Sequence, residues 1–278
     1  KESKHKMKLY HGTNYSSAIN IVNHGINLKY SKPYLDFGPG FYTTPSYDHA
    51  ALAAIRTTQK YNAKNNKNEE PYIVEVDYKP ISAMDLVIGS YPRHSERWGK
   101  FVLNNRLKPQ MLSAYNILEH NQDGKYDICY GEIADGNIIN IAYKVNGGKV
   151  IPEDINYKEF LKDNGEVYPQ QYSFHTLKAI SCIKVLSCDM INNKKKFERK
   201  GKKVNGMTNA EIREFKSYVR DTLVRKYHLS EVEAARAVRD SYLSKALAMD
   251  KDFVDHDTVE EWAEFIYDEI NHESLLMM

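Results

Sequence analysis

Three short stretches, far apart in the chain, carry side chains able to bind or react. The first is Leu9-Tyr-His-Gly-Thr13, a β-prone run that ends in a His-Gly turn. A histidine at a strand end can present a ring nitrogen to a sugar hydroxyl, and a neighbouring glycine lets a ligand or a second backbone approach closely. The competing reading is a surface histidine beside a turn. The second stretch is Asp36-Phe-Gly-Pro-Gly-Phe-Tyr-Thr-Thr44. Two glycines around a proline fix a sharp turn, and Phe41 and Tyr42 point to opposite faces of the strand that follows. One ring enters the core and the other faces a cleft, where it can stack on a flat heteroaromatic ring. The competing reading is a hairpin turn and a core aromatic. No glycine-rich phosphate loop or catalytic-loop signature accompanies Asp36-Phe-Gly, which excludes a kinase. The third stretch is Pro169-Gln-Gln-Tyr-Ser-Phe-His175, followed by Thr176. Its polar groups converge on a ligand if it lies beside the first stretch; otherwise it is a connecting loop.

The elements that must position these residues are legible in outline. Lys8–His11 reads as a short strand, and residues 16–23 as a helix stopped by Gly25. Ser46 caps an alanine-rich helix over 46–61, with Ala50, Ala53 and Ala54 as a small-residue face. Residues 63–70 read as loop. Tyr72–Tyr78 alternates apolar and polar residues as a strand does. Residues 98–106 look helical, and residues 126–133 and 180–186 are short β-branched runs. Short strands around a few helices predict a mixed α+β domain over 1–191 rather than a doubly wound sheet. Residues 192–206 carry seven basic residues and one acid and read as a solvated linker. Beyond it the pattern turns helical. Thr208-Asn-Ala-Glu211, Ser230-Glu-Val-Glu233 and Asp257-Thr-Val-Glu260 are capping-box sequences. They open amphipathic runs through Ile212, Phe215, Val219 and Leu223; through Val232, Ala235, Val238, Tyr242 and Ala246; and through Val259, Trp262, Ile266 and Ile270. Residues 207–278 are thus expected to form an all-α, three-helix domain, small enough to need docking onto something.

The 278 residues are 42% hydrophobic and 27% charged, which supports a folded core and excludes general disorder. No apolar run is long enough for a membrane span, and no secretory signal is visible. The three cysteines, Cys129, Cys182 and Cys188, lack metal-ligand spacing. They predict no disulfide framework and no metal, and fit a cytoplasmic location. Net charge is unevenly spread. Residues 207–278 hold nine basic and sixteen acidic residues, a net of −7, while residues 1–191 carry only +3. The main body is not a basic nucleic-acid binder by composition.

Taken in order, the three stretches resemble the diphtheria-toxin and poly-ADP-ribose-polymerase class of ADP-ribosyltransferases. That class has a His-Gly on a first strand, matched by Tyr10-His11-Gly12-Thr13, and a Gly-x-Gly-hydrophobic-Tyr turn, matched by Gly38-Pro39-Gly40-Phe41-Tyr42. More closely, the chain resembles an uncharacterised bacterial family of this fold. That family adds a Trp-x-x-Phe-Val-x-x-Asn-Arg helix (Trp98 to Arg106), a Tyr-Asp-Ile-x-x-Gly-x-Ile-Ala-Asp stretch (Tyr126 to Asp135) and a Gln-x-Ser-Phe-His-Thr ending (Gln171 to Thr176). The likeness spans roughly residues 7–188 and implies an NAD-dependent transfer of ADP-ribose, toxin-like or regulatory, that needs no metal.

The resemblance also implies roles. His11 binds the adenosine-side ribose. Gly12 and Thr13 hold the nicotinamide amide or adjacent backbone, and Tyr42 stacks on the nicotinamide, with Gly40 and Phe41 beside it. Arg106 neutralises pyrophosphate, as a guanidinium suits that oxyanion. The catalytic glutamate of the class has no counterpart: Gln171 aligns with it, next to Gln170. A carboxamide keeps hydrogen bonds but lacks charge, so its electrostatic stabilisation is weaker. Three outcomes follow: another carboxylate serves (Asp36 or Asp135), Gln171 acts by positioning alone, or the site binds NAD or ADP-ribose without turnover. His175 is a candidate base for the acceptor and Ser173 a further candidate. RNA 2′-phosphotransferase, on the same fold, would need a set of basic residues in the cleft, of which only Arg106 is evident. The tail resembles a small antitoxin-like domain of unknown function. It is expected to fold back on the core through apolar contacts, with Trp262 and Phe215 foremost, and to restrain the transferase in cis. The acceptor is an unnamed macromolecule.

Overall fold

The computed structural model describes residues 6–79, 85–92, 94–134, 136–157, 169–192, 194, 197, 208–249 and 258–276. Within them the architecture is mixed α+β with a helical C-terminal part. The strands are β1 (Met7–Asn14), β2 (Phe41–Thr43), β3 (Pro71–Tyr78), β4 (Ile88–Tyr91), β5 (Ile128–Glu132), β6 (Gln170–Phe174) and β7 (Ile183–Met190). The helices are α1 (Tyr15–His24), α2 (Tyr47–Asn65), α3 (Glu96–Arg106), α4 (Pro109–Ala114), α5 (Gly136–Asn146), α6 (Leu177–Ile180), α7 (Asn209–Tyr227), α8 (Glu231–Asp240), α9 (Tyr242–Met249) and α10 (Val259–Leu276).

The strands form two sheets. One has the order β1-β3-β7 and is antiparallel throughout; the other runs β2-β6-β5-β4 and is antiparallel except between β4 and β5. Reciprocal backbone hydrogen bonds between Tyr10 and Thr44, at 2.8 and 2.9 Å, join the sheets where β1 passes the end of β2. This junction places His11 next to Tyr42. In β3 the alternation is that of a half-buried strand: Val74, Val76 and Tyr78 are buried, while Glu75 and Asp77 face outward to Lys8 and Lys6.

α2 begins where Ser46 accepts the His49 N–H and packs across β1. A Cβ on Gly12 would lie 2.0 Å from the Ala50 carbonyl oxygen and 2.7 Å from the Ala54 nitrogen. The glycine and the alanine face are therefore one feature: they let helix and strand backbones touch. Ala50 and Ala54 are buried there, whereas Ala53 faces a cavity.

Several boundaries differ from expectation. β1 is longer, because its pairing with β3 continues to Asn14 opposite Pro71. α2 continues through residues 63–65 in place of the expected loop and stops where Asn66 turns left-handed. Residues 180–186 are split between the end of α6 and the start of β7, because Thr176 caps a single helical turn. The expected linker lies mostly outside the described residues. At Phe197 it is not solvated, since that ring is buried against the cluster of Ala51 and Ile55.

In the C-terminal part the first two capping boxes form as written, each with reciprocal bonds. The third forms one residue later, between Thr258 and Glu261; Asp257 lies outside the described residues. The second run breaks at Ser241 into α8 and α9. Its register also differs: Val232 and Ala235 are exposed, and Ala234 and Val238 are buried. The helices share one core around Phe215, Leu223, Leu243, Trp262 and Phe265.

Replacing Gly12 by alanine forces α2 away from β1. Overpacking of this kind typically destabilises by about 1–3 kcal/mol. A Gly12→Ala chain should unfold at a lower urea midpoint with little change in slope.

Candidate functional site

The centre of the site is a buried carboxylate. Asp36, 5% exposed, accepts from Arg106 Nε at 3.0 Å and Nη2 at 2.5 Å through Oδ1. Its Oδ2 accepts from the Ala134 N–H at 3.0 Å and from Gln171 Nε2 at 2.7 Å. Burial alone would raise the Asp36 pKa. The Arg106 charge, the Ala134 N–H and the Gln171 amide outweigh it, and the carboxyl stays below its ordinary range. Burial likewise works against the Arg106 cation, and Asp36 more than restores it.

This network fixes the orientation of Gln171. Its amide nitrogen is committed to Asp36, so its other polar atom, Oε1, is a hydrogen-bond acceptor. Gln171 and Tyr42 lie on one face of the second sheet, because Tyr42 pairs with Ser173 and Gln171 is two residues along. The Tyr42 hydroxyl donates to the Gly38 carbonyl at 2.7 Å and accepts from the Phe37 N–H at 2.9 Å. Its ring is thereby locked over its own turn, and burial pushes the phenol pKa well up.

His11 completes the set. Its Nδ1 lies 2.7 Å from the Tyr42 carbonyl oxygen. A carbonyl only accepts, so Nδ1 carries the proton and Nε2 is an acceptor. Burial lowers the pKa, against the opposing effect of that hydrogen bond, which makes the ring neutral at pH 7. Phe41, buried on the opposite face of β2 from Tyr42, supports the imidazole with its centroid 4.5 Å away.

His11, Gly12, Thr13, Asp36, Gly40, Phe41, Tyr42, Arg106 and Gln171 all line one cavity of about 990 Å³. The structure thus brings the three sequence stretches together. It gives some of their members different work from that expected. Arg106 is not an open cation awaiting pyrophosphate, since its guanidinium is buried against Asp36. Gly12 is required by the α2 backbone, as described above. Gly40 is required by His175: a Cβ there would lie 2.6 Å from the His175 Nδ1. His175 donates from Nδ1 to the Pro39 carbonyl at 2.6 Å and faces the buried Ser173 hydroxyl through Nε2 at 2.9 Å. Burial takes its pKa down to about 4. With both nitrogens engaged it holds the turn and is no base for an acceptor. Asp135 lies outside the described residues, whereas Asp36 is in direct contact with Gln171.

The remaining motifs support the turn and the second sheet beside it. Asn105 accepts from the Asn121 N–H at 2.7 Å, and Asn121 donates to the Phe37 carbonyl at 3.1 Å. Trp98 donates to the Glu132 carbonyl at 3.0 Å. Asp127 accepts from Thr176 at 2.5 Å and from the Val87 N–H at 2.9 Å, tying β4, β5 and β6 at one end.

One wall of the cavity was not anticipated. His49, Arg56, Lys60 and Lys64 line it from α2, and Lys32 lines it from the loop before the turn. Arg56, Lys60 and Lys64 recur every four residues, a spacing that marks one helix face. The opposite rim is formed by Glu261, Glu264 and Phe265 of α10. Lys32 pairs with Glu261 at 3.7 Å, Lys64 with Asp268 at 3.5 Å, and the Lys60 ammonium sits 4.5 Å from the Trp262 ring centroid. Away from the cavity, Lys108 pairs with Glu260 at 2.5 Å and Lys144 with Glu214 at 3.3 Å, beside the Tyr143–Phe215 ring contact. No group of metal-ligating side chains occurs among the described residues. Among them no helix is long and apolar enough to cross a membrane.

A family model described as a protein of unknown function (DUF3990) matches residues 7–185. No curated protein and no solved structure matches the chain.

The network makes a charge-specific prediction. Gln171→Glu would set a second carboxylate against Asp36 Oδ2 in place of a donor. Two buried carboxylates in contact raise at least one pKa, so the penalty is absent below about pH 4 and grows as pH rises towards 7. The variant should lose about 3–5 kcal/mol at neutral pH, the range for an uncompensated buried charge. In the unaltered chain the sign is opposite. The depressed Asp36 pKa contributes stability that is present at neutral pH and lost as pH falls through the folded value. Urea midpoints from pH 3 to 8 for both chains test this; parallel profiles would contradict it.

Proposed function

The chain belongs to the DUF3990 family, and from that premise we propose that it is an NAD-dependent ADP-ribosyltransferase on an ADP-ribosyltransferase-like fold, restrained in cis by its helical C-terminal domain. The observation that carries the reading is the common cavity of His11, Tyr42 and Gln171, each supplied by a different strand. The cavity is of the size that takes cofactor-like ligands. Its deep groups are neutral: an imidazole with Nε2 as acceptor, a fixed phenol ring and a carboxamide whose Oε1 is an acceptor. Those are partners for ribose hydroxyls and a flat ring.

In the proposed reaction the bond between the nicotinamide nitrogen and the ribose anomeric carbon breaks, and its electron pair stays on nicotinamide. The acceptor nucleophile bonds to that carbon and releases its proton to water. Positive charge develops on the sugar as the bond opens. The Gln171 carbonyl dipole faces that charge more weakly than a carboxylate would. Asp36 orients Gln171 and is a positioning residue, with its own charge balanced by Arg106. Nothing in this scheme needs a metal ion. The Gln171 amide also favours a second reading, a module that binds NAD or ADP-ribose without turnover. RNA 2′-phosphotransferase gains nothing from Arg106, which is occupied by Asp36, although Lys32, Arg56, Lys60 and Lys64 supply the basic set in the cleft that it would need.

Restraint in cis is supported by α10, whose Glu261, Glu264 and Phe265 line the same cavity. The pairs that hold it there are partly exposed and hence weakened by salt.

Calorimetric titration of the full chain with NAD should give binding that weakens about tenfold or more in His11→Ala and Tyr42→Ala, the loss of one or two buried contacts. Labelled NAD with lysate should label a macromolecule, more strongly in a full chain carrying Glu261→Gln and Asp268→Asn. Binding without labelling or nicotinamide release would select the non-catalytic reading. No binding by any of these chains would end both.

A further inference from the structure

The cationic wall of the cavity has no role in the reading above. Arg56, Lys60 and Lys64 stand about 6 Å apart along α2, one step for each four residues of helix. Lys32 faces the same opening. Two tyrosines are interleaved with them. Tyr30, 75% exposed, belongs to the loop that carries Lys32, and Tyr61 lies between Lys60 and Lys64. Alternating cations and aromatic rings, Tyr30 exposed and Tyr61 half-buried, suit a strand whose phosphates repeat and whose bases are unpaired: the cations meet the phosphates and phenol faces take the bases. A folded acidic protein surface would use the lysines but has no need of the rings. The net charge of +3 over residues 1–191 hides this row because its cations gather on one helix face and one loop.

We infer that Lys32, Arg56, Lys60 and Lys64, with Tyr30 and Tyr61, bind single-stranded nucleic acid, and that α10 occupies this site by presenting carboxylates where phosphates would lie. Lys32 and Lys64 are each paired with a carboxylate of α10, Glu261 and Asp268, and all four side chains are between 30% and 51% exposed. Such pairs contribute little to stability, whereas a polyanion gains by releasing its own counterions. The Lys108–Glu260 and Lys144–Glu214 pairs and the Tyr143–Phe215 contact lie away from the row. The Lys60–Trp262 contact does lie on the row, so a strand enters only as α10 shifts off α2, with the helical domain held by the contacts elsewhere. That the strand is also the ADP-ribose acceptor rests on the transferase reading; the binding does not.

The test is fluorescence anisotropy without NAD, using a labelled single strand of about 12 nucleotides, within the span of one such site. RNA and DNA of the same sequence form separate arms. Glu261→Gln with Asp268→Asn in the full chain should bind about tenfold tighter than the unaltered chain. Adding Lys60→Gln and Lys64→Gln should remove that gain and flatten the dependence of log affinity on log salt by about 1.4, two phosphate contacts at ~0.7 each. Tyr30→Ala, at an exposed ring that cannot unfold the chain, should weaken binding severalfold, and a duplex of the same sequence should compete poorly. Equal affinity of all variants would overturn the inference, as would a gain that survives loss of Lys60 and Lys64. Because NAD is absent, a negative result here leaves the NAD titration to stand or fall separately.

Discussion

The site depends on keeping one carboxylate ionised in the interior. Asp36 is almost fully buried, and an unpaired charge there would be strongly destabilising. Its partners come from three separate elements: Arg106 at the end of α3, Ala134 just after β5, and Gln171 on β6. Each bond holds only if those elements are in register with the turn that begins at Asp36. The carboxylate thus orders the turn, and through it Tyr42 and the carbonyl that orients His11. Residue 171 also follows from it. A donor is needed opposite Oδ2, and glutamine supplies one where an ionised glutamate cannot. Gln171 is therefore matched to its neighbour and need not be read as a weakened glutamate.

How much of this was legible in the sequence depended on the range of the interaction responsible. The mixed α+β class, most element positions and the first two capping boxes are local features, and they appear where spacing and capping put them. The convergence of His11, Tyr42 and Gln171 was available only through ordered motifs. The burial of Arg106 was not, because a guanidinium that grips a phosphate and one that grips a buried carboxylate look alike in one dimension. The same holds for Gly12, Gly40 and His175. Their types are set by what crosses them, an α2 backbone in one case and an imidazole on a glycine in the other. The α8 register is not set by apolar spacing alone, because its apolar positions, Val232 included, outnumber those the small core can cover.

Charge shows the converse. The contrast between a −7 tail and the rest of the chain was plain from counting, yet its geometry was not. Counting averages over surfaces, whereas electrostatics acts between faces. The stripe of Arg56, Lys60 and Lys64 could have been read from its four-residue spacing, as Glu261 and Asp268 could from theirs. Neither stripe reveals its partner until the helices are placed together.

The resulting site separates two kinds of recognition in space. Its interior is electrically quiet: His11 is neutral, Gln171 is an amide, and Asp36 and Arg106 cancel each other. Its rim carries the cations and, on α10, the anions that face them. Sugar hydroxyls and a flat ring would therefore be met by the interior, and the phosphates of a strand by α2 and Lys32. Affinity for charge and discrimination of shape then reside in different residues. Salt, or loss of α10 carboxylates, would change the first while leaving the second intact, because short-range hydrogen bonds inside the cavity are shielded from the ions that screen its rim.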